Sequence, residues 1–189
     1  VANENRKNGA VIAILATQDK VDMEDAIRER IPETRNTKVI CRSGNPIDLN
    51  DLEIISPHTA RSIIVLPPDE EDPDAQVVKT VLAITNNPNR RAEPYHIVTQ
   101  IQEQATLDVL KMVGQKDIVQ PVITDDLIAR VTAQTSRLSG LSVVYTELMN
   151  FGGDEIYFKE ETALIGKTFS EVILAYEDSA VFGIRFANG

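Results

Sequence analysis

Short apolar runs alternate with stretches of helical pattern along the first two thirds of the chain. The run AVIAILA at residues 10–16 holds seven consecutive apolar residues, which predicts a strand covered on both faces. Further strand-like runs follow at residues 38–42, 61–67, 95–101 and 117–122. The stretches between them have the length and spacing of amphipathic helices of about 10–15 residues. This alternation predicts βαβ units and a parallel sheet.

The intervening stretches carry the start and stop signals of helices. Pro32 is expected to end the first helix, and Asp48 or Asn50 to cap the second. Gly114 is in position to cap the fourth. Inward-facing positions in the first two helices are predicted at Val21, Ile27 and Ile31, and at Leu49, Leu52 and Ile55. The fold class is therefore α/β, with a Rossmann-like doubly wound parallel sheet over residues 1–123.

Beyond residue 123 the pattern changes to almost continuous helix. A first helix begins at Thr124, Ser139–Gly140 breaks it, and a second helix follows, so residues 124–152 predict a helix–turn–helix crossover. Such a pair serves either as a dimerisation arm or packs back on the sheet. Residues 155–161 and 180–187 read as strands around a turn and short helix at 163–176. Residues 153–189 are therefore expected to begin a small α+β C-terminal subdomain.

Charge and composition narrow the possible partners. The chain has 29 acidic against 19 basic residues and a net charge of −10, which argues against a nucleic-acid partner. The single cysteine, Cys41, lies within an apolar run and is expected to be a core residue of a cytosolic protein. The sequence contains no zinc-binding spacing and no Ser/His/Asp or Cys/His arrangement, so no catalytic residues are assigned and an enzyme is not expected.

No G-x-G-x-x-G motif occurs in the sequence, although a dinucleotide-binding domain should open with one. We expect one strand, its glycine-rich loop and most of a helix to lie upstream of Val1. Ligands of such folds gather at the carboxyl ends of the strands. The candidate ligand-binding residues there are Asp19, Arg42, Ser43, Gly44 and Asn45. Asp19 either meets a ribose hydroxyl or caps the next helix, and Gly44 and Asn45 are expected to turn the chain with positive φ.

An acidic run follows the third predicted strand. Five of the six residues at 69–74 are carboxylates, which could supply oxygen ligands to Ca²⁺. The candidate metal ligands are Asp69, Glu70, Asp72 and Asp74. The alternatives are a solvated loop and a favourable interaction of Asp72 and Asp74 with the dipole of the following helix.

Several stretches resemble the cytosolic domain of the CASTOR/POLLUX ion channels, within the wider group of RCK (regulator of potassium conductance) domains. The most specific is VICRSGNPIDLNDLEIISPHTARSIIVLPPDE at residues 39–70, with its Arg-Ser-Gly turn and Ala-Arg strand entry. The resemblance continues through residues 14–27, 96–101 and 125–159, and more weakly to the end of the chain.

The resemblance implies a domain on the cytoplasmic side of a membrane, below the pore domain of the same polypeptide. It implies a homo-oligomer, paired through the crossover helices and assembled into a gating ring that responds to a ligand. That ligand would be Ca²⁺ in this family, and a nucleotide in related potassium systems. Asp69 and Glu70 match the family's Asp-Glu pair. The alternatives are a fragment of an NAD-dependent oxidoreductase and a separate regulatory subunit of a potassium transporter.

Overall fold

The structure is a computed structural model that describes residues 9–150 and 156–185. Within them, strands and helices alternate up to residue 123, as the hydrophobic pattern predicts. The strands are β1 (Ala10–Ala16), β2 (Thr37–Ser43), β3 (Ile63–Val65), β4 (His96–Ile101) and β5 (Ile118–Ile123). The helices are α1 (Lys20–Arg30), α2 (Leu49–Ile54), α3 (Pro73–Thr85), α4 (Gln104–Val113), α5 (Thr124–Arg137), α6 (Leu141–Met149) and α7 (Phe169–Ile173). Short 3₁₀ turns lie at Pro57–Thr59 and Thr162–Leu164.

All strand pairs in the described residues are parallel, and they form two hydrogen-bonded sheets. β1 pairs with β2, with Ala10 opposite Thr37. β4 lies between β3 and β5, with Ile63 opposite Ile97 and His96 opposite Ile118. Each crossover between parallel neighbours carries a helix. The predicted α/β, Rossmann-like pattern is confirmed, and its strands are divided between a two-stranded and a three-stranded sheet.

The core is centred on β4 and the helices that cover it. Ile97 and Ile101 of β4 are fully buried, and so are Val81 of α3 and Leu110 of α4. Leu52 of α2 joins the same cluster, as the helical spacing predicts. β4 has a partner strand on each side, and α3 and α4 cover the face on which its alternate side chains lie. The region around β4 is therefore the best packed part of the described structure.

Three expectations about burial are wrong. β1 has no fully buried residue, although its apolar run predicts a strand covered on both faces. On α1 the buried residue is Met23, and Val21 and Ile31 are exposed. Leu49 of α2 is also exposed. β1 and α1 belong to the two-stranded sheet, which has fewer neighbours to pack against than β4 has, and Leu49 borders an open cavity beside α3.

The region after α6 also differs from its prediction. Residues 156–161 and 180–185 are irregular in the structure, where the sequence predicts strands. The ends of both predicted strands, at 155 and 186–187, lie outside the described residues, as do residues 1–8, where the end of the helix that we expect to begin upstream of Val1 would fall. The short helix is confirmed as α7, which begins with a capping box between Thr168 and Glu171. In the part of the chain that the structure describes, no helix has the length and apolar character to cross a bilayer.

A buried ion pair anchors the connection between α3 and β4 to the start of β5. The Asp117 side chain is 1% exposed and accepts hydrogen bonds from both terminal nitrogens of Arg90, at 2.9 and 3.2 Å. The backbone N–H of Tyr95 donates to the same carboxylate at 2.8 Å. Arg90 and Arg91 both stack on the buried Tyr95 ring, 5.3 and 4.8 Å from its centroid. The loop is thereby fixed on the edge of the sheet.

Gly114 ends α4 as predicted, but steric fit and not backbone conformation requires a glycine there. Its φ is −93°, which other residues adopt readily. A Cβ at this position would lie 2.2 Å from Cγ2 of Val119 on β5. The absence of a side chain therefore lets the end of α4 pack directly on the sheet.

We expect Asp117→Asn to lower the free energy of unfolding by about 3 kcal/mol, because the change leaves the Arg90 guanidinium without its buried carboxylate. Chemical denaturation checks this value. Asp108→Asn is the matched control, since Asp108 is 84% exposed and its pair with Lys111 is at the surface. That control should change stability by less than about 0.5 kcal/mol. Equal effects of the two changes would contradict the anchoring role of Asp117.

We expect Gly114→Ala to destabilise the fold by about 1–3 kcal/mol, because the new methyl group overlaps Val119. Gly183→Ala serves as the control, since a Cβ at Gly183 meets nothing within 4 Å. Thermal unfolding of both variants measures the difference. A Gly114 variant as stable as the Gly183 variant would show that α4 shifts without cost.

Candidate functional site

The carboxyl ends of β1 and β2 are joined by a backbone hydrogen bond. The N–H of Gly44 donates to the carbonyl of Ala16 at 2.9 Å, one residue beyond β2. Asp19 follows β1 and accepts a hydrogen bond from the N–H of Val21 at 2.7 Å. Asp19 is thus the N-cap of α1, which was one of its two predicted roles. The cap occupies one carboxylate oxygen, Oδ1.

The turn after β2 is held by side chains of the turn and of α2. Asn45 Oδ1 accepts from the N–H of Ile47 at 3.0 Å, and the Asn45 N–H donates to Asp51 Oδ2 at 2.7 Å. Asp48 caps α2 by accepting from the N–H groups of the first turn, as the sequence predicts. The turn is therefore stabilised within the chain itself.

Gly44 and Asn45 do not have the positive φ that the sequence predicts. Gly44 is required by a close approach instead. A Cβ there would lie 2.9 Å from Cδ1 of Leu15 and 3.1 Å from the Asp51 side chain. Steric fit between the turn, β1 and α2 explains the glycine.

The remaining polar residues of this turn differ in exposure. Ser43 and Asn45 are exposed, and Arg42 is half-buried and donates to the carbonyl of Cys41 at 2.8 Å. Cys41 itself is fully buried. Burial raises the pKa of its thiol, and the negative charge of Glu24 raises it further. Cys41 is thus a core residue, as predicted, and Arg42, Ser43 and Asn45 form the accessible polar edge.

The acidic run divides into exposed carboxylates and one buried carboxylate. Asp69, Glu70 and Asp72 are exposed at the start of α3. Asp72 has a φ of +56° and caps α3 by accepting from the N–H of Ala75 at 3.1 Å. Asp74 is buried. The four candidate metal ligands therefore lie in one segment but not in one environment.

Asp74 bridges α3 to the turn between β4 and α4. Its Oδ1 accepts from the N–H of Gln102 at 2.9 Å. Its Oδ2 accepts from the N–H of Glu103 at 2.9 Å and from the Thr106 hydroxyl at 2.8 Å. Desolvation by burial raises the pKa of Asp74, but the hydrogen bonds from Glu103, Gln102 and Thr106 together hold it below the usual value. Both oxygens are already engaged by protein donors.

The described residues contain no group of three or more His, Cys, Asp or Glu side chains arranged to hold a metal ion. A shallow cavity of about 290 Å³ lies between the start of α2 and the second half of α3, and another of about 350 Å³ lies at the carboxyl ends of α3 and α4. Neither is lined by any of the predicted site residues. The structure thus brings Asp19 and the 42–45 turn to one edge and leaves the acidic run at the start of α3.

The sequence alone does not reveal the hydrogen-bond partners of two buried carboxylates. It offers Asp74 as a metal ligand or as a partner of the helix dipole, and Asp117 as the first residue of a strand. Nothing in their local sequence distinguishes them from the exposed acids, because their donors come from residues 22 to 32 positions away. Only tertiary contacts identify them.

We expect Asp74→Asn to destabilise the fold by about 1–3 kcal/mol, because an amide offers one acceptor oxygen to donors that now contact two. Asp69→Asn removes the same charge from an exposed position and should be close to neutral. Urea denaturation at neutral pH compares the two. Equal stabilities would show that the Asp74 bridge contributes nothing.

The same bridge should respond to acid. Because the folded pKa of Asp74 lies below its unfolded value, the charge-dependent stabilisation is fully present above about pH 5. It should decline as the pH falls below about 4 and vanish below the folded pKa. The stability difference between the unmodified chain and Asp74→Asn should therefore shrink on acidification. A difference that stayed constant down to the acid transition would contradict this assignment.

Comparison with known proteins extends the similarity to the whole chain. Residues 125–189 match the family model described as "Castor and Pollux, part of voltage-gated ion channel". The ion channel CASTOR of Lotus japonicus is 34% identical over 100% of this chain and 22% of its own length. The probable ion channel POLLUX of Arabidopsis thaliana is 32% identical over 95% of this chain and 22% of its own length.

The probable ion channel CASTOR of Oryza sativa subsp. japonica is 32% identical over 100% of this chain and 21% of its own length. The chain thus spans about a fifth of the length of the curated relatives that it matches. The family match begins one residue inside α5 and includes α6 and α7. The sequence identity to the relatives also covers the parallel α/β region before residue 124. Both comparisons therefore show that this chain is similar to the CASTOR/POLLUX ion channels.

Proposed function

We propose that this chain is an RCK-type regulatory domain of a cation channel, on the cytoplasmic side of the membrane and joined to the pore of the same polypeptide. The observation that carries the proposal is the overlap of the family match at 125–189 with a pair of helices that expose apolar side chains. The relatives are named as ion channels and not as enzymes, which supports a non-enzymatic role over an oxidoreductase fragment.

The crossover helices α5 and α6 are suited to pairing two copies of the domain. No residue of either helix is buried. Their large apolar side chains are instead exposed, at Leu127, Ile128, Val143, Val144, Leu148 and Met149. Exposed apolar surface of this extent favours association with another apolar surface. Because homo-oligomers are built most often on two-fold pairs, a second copy is the proposed partner. Pairs of this kind would build the gating ring.

We expect Val143→Glu/Leu148→Glu to weaken self-association at least tenfold, because two charges would be buried in the helix pair. Analytical ultracentrifugation over a concentration series measures the dissociation constant. Met112→Glu is the control: Met112 is 71% exposed on α4, outside the crossover. A chain that remains a monomer at all concentrations, or loses dimers equally in both variants, would contradict pairing through α5 and α6.

Calcium is the proposed regulatory ligand, and Asp69 and Glu70 are the residues that would meet it first. Both are exposed carboxylates free of the structural hydrogen bonds that engage Asp74. Asp72 adds a third acidic side chain, with Oδ1 already serving as the cap of α3. The net charge of −10 favours the approach of a cation. A change of loop conformation on binding would have to bring these oxygens together, since Ca²⁺ takes 6–8 oxygen ligands.

The calcium proposal is tested by titration calorimetry with CaCl₂ on the unmodified chain and on Asp69→Asn/Glu70→Gln. We expect heat of binding and a raised unfolding midpoint for the unmodified chain, and a loss of both in the variant. Glu29→Gln/Glu33→Gln removes the same charge from exposed positions on and after α1 and should still bind. Absence of heat up to millimolar calcium would reject calcium as the ligand and leave the pairing through α5 and α6 intact.

A further inference from the structure

His58, in the 3₁₀ turn between α2 and β3, carries a buried ring nitrogen without a protein partner. Its Nδ1 is shielded from solvent and has no hydrogen-bond partner among the described residues. Nδ1 faces the carboxylate of Glu53, with 3.9 Å between Nδ1 and Oε2. That separation is too long for a hydrogen bond. A buried polar atom without a partner requires an explanation, and a bound ion is one of the few available.

A sharp turn after α2 brings the two side chains together. Ser56 has a φ of +50°, in the left-handed region, and Pro57 begins the 3₁₀ turn that contains His58. The N–H of Ser56 donates to the carbonyl of Glu53 at 3.0 Å, and the Thr59 hydroxyl donates to the carbonyl of Ser56 at 2.9 Å. The backbone between Glu53 and His58 is therefore fixed by hydrogen bonds within the turn, and the pair is preformed.

The Glu53 carboxylate is oriented by a second contact. Its Oε1 accepts a hydrogen bond from Nδ2 of Asn87 at 2.8 Å, and Asn87 is buried in the loop after α3. Asn87 is held in turn, because its Oδ1 accepts from the N–H of Asn89 at 2.8 Å. Carboxylates that bind metals are commonly oriented by outer hydrogen bonds of this kind. One oxygen of Glu53 is thus anchored, and the other faces His58.

The spacing of Nδ1 and Oε2 matches the bond lengths of a transition-metal ion. Zn²⁺ binds imidazole nitrogen at about 2.0–2.1 Å and carboxylate oxygen at about 2.0–2.2 Å. An ion therefore fits between atoms that are 3.9 Å apart, and tetrahedral angles require those atoms to close to about 3.4 Å. The side chains of His58 and Glu53 are 35% and 33% exposed, so water can reach the ion from the solvent side.

We propose that Nδ1 of His58 and Oε2 of Glu53 bind a Zn²⁺ ion, with water in the remaining positions. Imidazole with carboxylate suits zinc, whereas Ca²⁺ takes oxygen ligands. The ion would fasten the turn before β3 to the end of α2. Because α2 also carries Asp51, which accepts from the N–H of Asn45 at 2.7 Å, the ion would stiffen the polar turn at 42–45 as well.

This pair of ligands could not be expected from the sequence. Glu53 and His58 match none of the ligand spacings that indicate a zinc site. Only the turn at Ser56 places the carboxylate opposite the ring nitrogen.

Calorimetric titration with ZnCl₂ near neutral pH tests the site in the unmodified chain, His58→Gln and Glu53→Gln. Each variant should bind zinc at least tenfold more weakly, because losing a ligand should cost no less than losing an outer-shell partner, about 10–100-fold. Glu53→Gln keeps an amide oxygen for Asn87 and removes the charge that faces His58. Zinc should raise the unfolding midpoint of the unmodified chain and not that of His58→Gln.

The other histidine and a distant glutamate supply the controls. In His96 both ring nitrogens already have partners, Ser62 at 3.2 Å and Gln120 at 3.3 Å. Glu29 is exposed on α1. His96→Gln and Glu29→Gln should therefore bind zinc as the unmodified chain does. Zinc binding that is equal in these controls and in the two site variants would overturn the proposal, as would the absence of heat up to submillimolar ZnCl₂.

¹⁵N NMR of the histidine-labelled, unmodified chain provides a readout that does not depend on a variant folding. Zinc should move the Nδ1 resonance of His58 and leave both nitrogens of His96 unchanged. A zinc-dependent shift confined to His96, or to Nε2 of His58, would overturn the proposal.

The zinc site is separable from the proposed function. Asp69→Asn/Glu70→Gln should bind zinc as the unmodified chain does, because these residues are not ligands of the ion. His58→Gln should keep its response to CaCl₂ and its pairing through α5 and α6. Loss of zinc binding in Asp69→Asn/Glu70→Gln would place the ion at the acidic run and overturn the site at His58.

Discussion

Parallel pairing of β4 on both sides is the constraint on which the rest of the structure depends. A parallel strand needs a crossover to reach its neighbour, so pairing of β4 with β3 and β5 places α3 and α4 across the sheet. Those helices then bury Val81 and Leu110 against Ile97 and Ile101. On the sides of β1 and β3 that have no strand partner among the described residues, Val11 and Ile64 are exposed. The most completely buried strand is thus the one with a partner on each side.

Two buried carboxylates adapt the loops to this sheet. Asp74 fixes the start of α3 to the turn after β4, and Asp117 fixes the loop before β4 to the start of β5. Each carboxylate accepts hydrogen bonds from backbone N–H groups that would otherwise be left unpaired near the core. Both ends of β4 are therefore held in place by hydrogen bonds to a buried carboxylate. Some of the acidic residues of the chain thus have a structural role, and the others lie on the solvated surface.

The position of Asp74 also changes the interpretation of the acidic run at residues 69–74. A run of carboxylates after a strand looks like one cation site in the sequence, yet the structure assigns its members different tasks. Asp72 and Asp74 support α3, while Asp69 and Glu70 remain free of such contacts. A regulatory ligand would therefore act on the first part of the run, next to the end of β3, without removing the buried bridge. With this separation, changes at Asp69 and Glu70 would leave the hydrogen bonds of Asp74 in place.

The sequence by itself determined the order and type of the elements through residue 150. Hydrophobic periodicity, Asp48, Gly114 and the Ser139–Gly140 break set them locally. The same applies to Asp19 as a helix cap, because its partner is two residues away. The tertiary structure alone decided which apolar faces are buried, why Gly44 and Gly114 are glycines, and what Asp74 and Asp117 bind. These features depend on contacts between residues that are far apart in the sequence. A local pattern of residues does not indicate which distant segment will pack against it.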